Sequence, residues 1–192
     1  MHTAAPSEDR RVLARPGDEG FTLIELLVVL LIIGILLAIA IPAFLSTTKS
    51  ANNTSAQADL KTALTGADTY FMTAGAQSYS YIDSAVGGTS TISTVGTGLV
   101  YVSGTNSSSG PNVISVYVSN SGNAIVMTAL SHGSMDCWGI LDIKAALTSV
   151  FHHETAVGTY YFVVPSASTS TCNAQSVAPT VANISTSAFP QD

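Results

Sequence analysis

Few residues of this chain are grouped in a way that could support chemistry. His152, His153 and Glu154 follow one another, and His132 could be a fourth member of the same cluster. Histidine and carboxylate side chains bind transition metals. However, adjacent side chains point to opposite faces of a strand and diverge by about 100° on a helix, so the two histidines cannot easily share one ion. We interpret the cluster as a solvated polar turn and predict no metal and no other cofactor.

Catalytic motifs are also missing from the sequence. The chain lacks the G-x-x-x-x-G-K-[ST] loop that binds nucleotide phosphates. Serine and threonine are so frequent that a serine–histidine–aspartate triad could be assembled by choice, which makes it uninformative. Acidic residues outnumber basic ones 12 to 6, and the basic cluster is limited to Arg10, Arg11 and Arg15. A nucleic-acid-binding surface needs a larger basic patch, so the sequence predicts neither an enzyme nor a direct nucleic-acid binder.

Glu25 is the carboxylate whose position is most informative. Residues 26–45 carry no charge, and about 20 apolar residues are enough to cross a membrane. At the start of such a run, a carboxylate costs at least a few kcal/mol unless it meets a partner. Cleavage after Gly20 would give Phe21 a free α-amino group, which is positively charged below a pKa of about 8.

That amine could reach Glu25 from a second copy of the chain. A neighbouring chain shifted along the helix axis could bring its Phe21 amine to the Glu25 carboxylate and so satisfy both buried charges. One polar group in an apolar helix interface can fix the alignment of the helices. The position of Glu25 therefore predicts self-assembly.

The basic residues predict the orientation of the apolar run in a membrane. Arg10, Arg11 and Arg15 precede it, and Lys49 is the nearby base after it. By the positive-inside rule, the N-terminus is cytoplasmic and the chain after about residue 46 is outside.

Three simpler interpretations of the run are a secretory signal cut near residues 38–40, a plain single-pass anchor and a buried core helix. An apolar signal region is only about 7–15 residues long. A plain anchor leaves Glu25 unexplained, and so uniformly apolar a run fits a membrane span better than a soluble core.

The segment from about Gly20 to Leu45 resembles the type IV prepilin signature. The matching features are a leader that ends in Gly20, Phe21 as first mature residue, Glu25 as the fifth, and then Gly34 and Pro42. The resemblance implies cleavage after Gly20 by a membrane prepilin peptidase, N-methylation of Phe21 and assembly into a helical filament. In such filaments pilin helices often lose order between the glycine and the proline, and we leave this open here.

The resemblance also implies partners. These are other copies of the chain, the peptidase, the pilus assembly platform with its motor, and the membrane that holds the precursor. The residues implied in assembly are Thr22, Glu25, Gly34 and Pro42. Asp18 and Glu19 stand where most prepilins have basic residues, which resembles some prepilins of Gram-positive bacteria, and which peptidase acts on this leader stays open.

Four segments are predicted along the chain. They are a leader (residues 1–20), a transmembrane or filament-core helix (21–45), its amphipathic continuation (46–73) and a β-rich head domain (74–192). In the continuation, apolar residues recur at spacings of three and four, which is typical of one buried helix face. They are Ala56, Leu60, Ala63, Leu64, Ala67, Tyr70 and Phe71, whereas Asp59, Lys61 and Asp68 lie off that face.

Runs rich in Val, Ile or Tyr predict strands at residues 99–103, 113–119, 124–130, 137–143 and 159–164, with a hairpin turn at 120–123. The predicted fold class is α+β, a long N-terminal helix packed on an antiparallel sheet, as in type IV pilins. The tract at residues 78–112, rich in Ser, Thr and Gly, predicts an exposed, mobile loop. An O-glycosylated or antigenic surface is the alternative for that tract.

Cys137 and Cys172 fall on the predicted outer side, where oxidation is possible. A bridge would close a loop of roughly 36 residues and contribute roughly 4 kcal/mol, and two free buried thiols are the alternative. The family resemblance implies the bridge, because a C-terminal disulfide commonly pins the last strands of pilins. Trp138 is expected to place a large apolar side chain beside it.

The predicted function is that of a structural subunit of a type IV pilus-like filament on the cell surface. The alternative is a pseudopilin of a type II secretion or DNA-uptake machine, which uses the same processing and helix packing. A monomeric membrane-anchored binding protein is a third class. The sizeable head with its two cysteines favours the pilin.

Overall fold

A computed structural model of the chain describes residues 20–73, 77–83, 98–147, 154–177 and 183–190. The leader predicted for residues 1–20 therefore lies outside the described residues, except for Gly20. The chain divides into two units after Ala43. The first unit contains the beginning of helix α1 (Leu23–Thr73), and the second contains the rest of α1, the short helix α2 (Ser80–Asp83) and a sheet.

The sheet has six strands in the order β1-β2-β3-β4-β5-β6. Their bounds are β1 Val100–Ser103, β2 Val113–Val118, β3 Ala124–Leu130, β4 Cys137–Ile143, β5 Gly158–Val164 and β6 Ile184–Ser185. The prediction of five of these strands is confirmed, with ends that differ by one residue at most. The two-residue β6 and the four-residue α2 were not predicted, because elements so short have no measurable periodicity.

Most neighbouring strands run antiparallel, but β1 and β2 are parallel. The α+β prediction of a long helix on an antiparallel sheet is thus confirmed, and the parallel pair of β1 and β2 is an exception at this edge. Residues 104–112 connect the two parallel strands, with Val100 opposite Val113.

The hairpin predicted at residues 120–123 joins β2 to β3, and Gly122 adopts a φ of 71° that suits glycine in such a turn.

Helix α1 buries the predicted apolar face within the second unit. Ala56, Leu60, Ala63 and Ala67 are all buried and pack in one cluster with side chains from the sheet. Small alanines let the helix approach the sheet closely, and the larger Leu60 is fully buried among them. These four buried residues belong to the apolar face predicted for the amphipathic continuation of the helix.

The sheet is covered on both faces, because alternate side chains of each strand point in opposite directions. On β3, Ile125 and Met127 pack in the cluster that contains α1, whereas Val126 and Leu130 pack in a second cluster on the other face. That second cluster includes buried residues of the segment 165–177, which follows β5. Both faces of the central strands are consequently shielded from water.

The tract at residues 78–112 was predicted to be an exposed loop, and Thr105, Asn106, Ser109, Pro111 and Asn112 are exposed, whereas other residues of the tract are buried. Tyr79 and Ile82 are buried against the sheet. Ser108 is fully buried, and its hydroxyl donates a hydrogen bond to the carbonyl oxygen of Val113 and accepts one from the N–H of Leu130 at 2.9 Å. Ser108 therefore satisfies buried backbone groups, which composition does not reveal. Residues 84–97 of the tract lie outside the described residues.

Candidate assembly site

The first turns of α1 present an apolar surface that nothing in the described chain covers. Every residue from Phe21 to Leu45 is exposed, including Phe21 at 82% and Leu23 at 81%. The helix is long and apolar enough to cross a membrane, and its most apolar window has no buried residue. An apolar surface of this extent on a folded chain marks a contact with a membrane or with other protein chains.

Thr22 and Glu25 form a capping box at the start of the helix. The backbone N–H of Thr22 donates to Oε2 of Glu25 at 2.9 Å, and the Thr22 hydroxyl donates to the same oxygen at 2.7 Å. In return, the N–H of Glu25 donates to the Thr22 hydroxyl at 3.3 Å. This arrangement satisfies N–H groups that have no partner inside the helix. Within a single chain, Glu25 is therefore hydrogen-bonded at the helix start, and the spacing T-x-x-E was the sequence signal for it.

Gly20 and Gly34 show no steric need for glycine inside the chain. A Cβ atom added at either position would meet no heavy atom within 4 Å. Pro42 lies inside α1, which continues past it to Thr73 although proline provides no N–H for the helix. In the isolated subunit the helix is thus continuous between Gly34 and Pro42.

The disulfide predicted between Cys137 and Cys172 is present, and both residues are fully buried. It ties the segment after β5 to the first residue of β4. Two further bonds hold the same segment, since the carbonyl oxygen of Cys172 accepts from the N–H of Ser108 and the N–H of Ala174 donates to the Ser115 hydroxyl. Trp138 does not lie beside the disulfide as expected, because successive strand residues point to opposite faces, and it packs in the cluster of α1.

A charged network joins α1 to the sheet in the second unit. The Lys144 ammonium lies 2.8 Å from Asp68 Oδ1 and 3.0 Å from Asp142 Oδ2. The hydroxyl of Tyr79 lies 2.7 Å from Asp142 and 2.9 Å from Asp68, and its one proton can be donated to either carboxylate. The other oxygen of Asp142 accepts from the Thr159 hydroxyl at 2.7 Å.

These contacts shift two proton equilibria. Burial lowers the pKa of Lys144, but the hydrogen bonds and negative charges of Asp68 and Asp142 outweigh it, so the pKa is raised overall. Burial, together with the same two carboxylates, raises the pKa of Tyr79 far above its ordinary value. Sequence reasoning missed this network, although an aspartate inside the apolar strand β4 was a signal that some cation or donor lies close to it.

The histidine cluster contributes nothing to a described site. His152 and His153 lie outside the described residues, and His132 is exposed. In the ranges that the structure describes, no three His, Cys, Asp or Glu side chains are grouped closely enough to hold a metal ion.

An exposed apolar helix start is followed along the chain by an α+β head with a buried disulfide. The family model of the prokaryotic N-terminal methylation motif matches residues 15–41. The type IV major pilin protein PilA of Myxococcus xanthus is 45% identical over 56 residues, which is 29% of this chain and 26% of that protein. The match thus spans about a quarter of that pilin's length. No solved structure matches the chain significantly.

The chain thus carries an N-terminal methylation motif and is similar to a type IV major pilin over 56 residues. The motif match contains Gly20, Phe21, Glu25 and Gly34, on which the resemblance was based.

Proposed function

We propose that the chain is the structural subunit of a type IV pilus-like filament. It is made as a precursor whose apolar helix spans the membrane, with the N-terminus in the cytoplasm. A prepilin peptidase cleaves it after Gly20, Phe21 is N-methylated, and the assembly platform and its motor polymerise the mature chain through the helix. The observation that carries this proposal is the wholly exposed apolar surface of residues 21–45.

The capping box supports a role for Glu25 in assembly. It fixes the carboxylate at the helix start, beside the position of its own Phe21. A charge held at one place along the helix can select one axial offset between neighbours, because only that offset brings the Phe21 amine of the next subunit to it. Glu25 then sets the register of helices whose other contacts are apolar and unspecific.

The first prediction tests processing. Mass spectrometry of protein sheared from the cell surface should find Phe21 as the first residue, carrying one added methyl group. Gly20→Val should leave the chain inserted and folded, since a side chain there meets nothing within 4 Å. The variant should nevertheless stay uncleaved, because the peptidase must approach the backbone closely at this point.

The other classes of protein give different results in this experiment. A start at Met1, or near residue 40, in the wild-type surface protein would contradict the proposal and favour an anchored monomer or a secreted chain. Processed Phe21 protein that stays in the cell envelope, with no filament in the sheared fraction, would instead identify a pseudopilin. A gene neighbourhood with a retraction ATPase would favour the pilus, and one with a secretin-type export set would favour the pseudopilus.

A further inference from the structure

A groove of about 740 Å³ lies between the beginning of the second unit's helix and the sheet. Residues of α1 from Ser46 to Gln57 form one wall, and Ser134, Asp136 and Trp138 belong to the other. Gly133 brings the two walls together, because a Cβ there would stand 3.0 Å from the Cα of Lys49. The Ser134 hydroxyl also donates to Asn53 Oδ1 at 2.6 Å. The volume is in the range of about 300–1,000 Å³ that is usual for small-ligand sites.

Trp138 supplies an unsatisfied donor at this groove. Its side chain is 1% exposed, and its indole N–H has no hydrogen-bond partner among the described residues. That N–H is closed to solvent, so it lies beneath the surface of the groove wall and makes Trp138 a reporter of what occupies the groove.

The groove also offers two opposite charges that do not neutralise each other. Lys49 and Asp136 both line it, yet no salt bridge joins them among the described residues. The N–H of Ser166 donates to Asp136 Oδ1 at 3.1 Å and thereby fixes the carboxylate in place. A ligand with an anionic and a cationic group matches this pair better than a ligand of either charge alone.

Chain connectivity places one end of the groove at a membrane surface. Ser46 follows directly on Leu45, the last residue of the apolar run, and Lys49 and Ser50 are within about one helical turn of it. The headgroup layer on each side of a bilayer is about 5–8 Å thick. When the apolar run spans the membrane, these three residues lie among the phospholipid headgroups.

We propose that the groove binds a zwitterionic phospholipid headgroup of the phosphoethanolamine class in the membrane-anchored subunit. The phosphate accepts from the Lys49 ammonium, the lipid ammonium donates to Asp136, and the Trp138 indole lies beneath them in the groove wall. The inference rests on the proposed membrane-anchored precursor. It adds a specific lipid contact, which would hold the head at a fixed height over the membrane before assembly.

Trp138 allows a direct test, because it is the single tryptophan of the chain. The full-length protein with a ¹⁵N-labelled indole, in maltoside micelles, is titrated with short-chain phosphatidylethanolamine. The one indole N–H resonance should shift and saturate. Lys49→Gln should weaken this binding about tenfold or more, as expected when one good contact is lost. Lys61→Gln, on the same helix but outside the groove, should leave the lipid-induced shift unchanged.

Asp136→Asn distinguishes recognition from folding. In the wild type, phosphatidylglycerol, which has no ammonium, should bind more weakly than phosphatidylethanolamine. In the variant the two lipids should bind alike. The Asp136 carboxylate no longer attracts the ammonium of phosphatidylethanolamine and no longer repels the anionic phosphatidylglycerol. A merely structural role for Asp136 would change both affinities in the same direction.

Several outcomes would overturn the proposal. One is an indole resonance that no lipid moves, and another is an equal shift in the wild type and the Lys49→Gln variant. Soluble phosphoethanolamine binding as tightly as the lipid would show a free metabolite site, and a shift that follows protein concentration without lipid would show a second copy in the groove. Methylated Phe21 filaments from a protein that fails this lipid test would leave the proposed pilin function standing.

Discussion

At the scale of single residues, Glu25 has two partners at different stages of the proposed pathway. In the isolated chain its carboxylate accepts hydrogen bonds from Thr22, and in the filament it would meet the Phe21 amine of a neighbour. Glutamine can also complete a capping box, but it carries no charge. Substitution by Gln therefore removes the proposed charge pair and keeps the cap, whereas Ala removes both.

Glu25→Gln and Glu25→Ala should both insert into the membrane and be cleaved after Gly20, yet fail to form filaments. Insertion is eased because a costly charge is gone, and the cleavage junction is unchanged. Assembly fails because the buried amine loses its partner, which costs on the order of 3–5 kcal/mol per subunit. Immunoblots of sheared and membrane fractions measure the outcome, with processed monomer expected in the membrane.

Normal filament numbers from both variants would mean that Glu25 is tolerated and not used. Filaments from the Gln variant but not from the Ala variant would assign its role to helix capping.

The salt bridge of Lys144 with the buried Asp142 is expected to contribute to the stability of the head. Lys144→Met leaves Asp142, which is 2% exposed, without a cation. The loss should be about 1–3 kcal/mol, toward the low end because Lys144 itself is partly exposed. The midpoint of thermal unfolding of the processed protein in detergent measures it. Lys49→Met, at an exposed residue without a salt bridge among the described residues, serves as control and should change stability by less than about 0.5 kcal/mol.

The network also predicts how stability depends on pH. The pKa values of Lys144 and Tyr79 are raised from ordinary values of 10.5 and 10.0. The folded chain therefore holds these protons at a pH where the unfolded chain releases them, and stability falls as pH rises above about 10. At a pH below these ordinary pKa values, Lys144 and Tyr79 make their full contribution to stability.

Tyr101, whose pKa burial and the charge of Asp59 raise to about 12, acts in the same direction. The unfolding midpoint measured from pH 8 to 11 should fall less steeply in Tyr79→Phe than in the wild type, because the contribution of Tyr79 is gone. It should still fall, because Tyr101 contributes to the slope in both proteins. Equal slopes in the two proteins would contradict the role given to Tyr79.

At the scale of elements, β4 and β5 depend on a glycine that makes room for an aromatic ring. Gly139 is opposite Phe162 in the antiparallel register. A Cβ at Gly139 would stand 2.0 Å from Cζ of the Phe162 ring, which is itself buried at 1% exposure. The ring thus occupies the space that a side chain on β4 would need.

Gly139→Ala should destabilise the head by about 1–3 kcal/mol through overpacking. Phe162→Leu in the same chain should restore part of the stability, because a leucine leaves space for the added methyl group and the two sites are coupled. Denaturant unfolding of the two single variants and the double variant measures the coupling. Strictly additive effects would show that the ring is not the obstacle.

At the scale of the whole molecule, the disulfide and the proposed topology depend on each other. A bond between Cys137 and Cys172 persists in an oxidising compartment, and an N-terminus in the cytoplasm places both residues outside. Non-reducing peptide mapping of protein from cells should therefore recover one peptide pair joined through these cysteines. Free thiols throughout the mature population would contradict the proposed orientation.

Replacing both cysteines by serine should lower the stability of the head by roughly 4 kcal/mol, because the bridge closes a loop of 35 residues. The variant should be less stable than the wild type only under oxidising conditions. After reduction the wild-type protein also lacks the bridge, and the two should be equally stable. Thermal unfolding with and without a reductant measures both, and limited proteolysis should cut the segment 165–177 first in the variant.

The positions of the helix and of five strands followed from local patterns. Residues 26–45 form an uncharged, predominantly apolar run, and α1 has a three- and four-residue apolar spacing after it. The strands are rich in β-branched residues, with a turn at 120–123. Each of these signals lies within a short stretch of chain, so no knowledge of distant contacts is needed. The family motif and the topology of the apolar run depended on local residues in the same way.

The tertiary structure decided what depends on residues far apart in the chain. Ser108 is buried because Val113 and Leu130 need its hydroxyl, and not because its own neighbours are apolar. Asp142 is tolerated in β4 because the Lys144 ammonium and the hydroxyls of Tyr79 and Thr159 contact its carboxylate. The parallel pairing of β1 with β2 and the groove beside Trp138 likewise arise only when separate segments meet. Hydrogen bonds, charge pairs and packing between such segments are set by the folded chain as a whole, and composition alone missed the buried residues of the serine-rich tract for this reason.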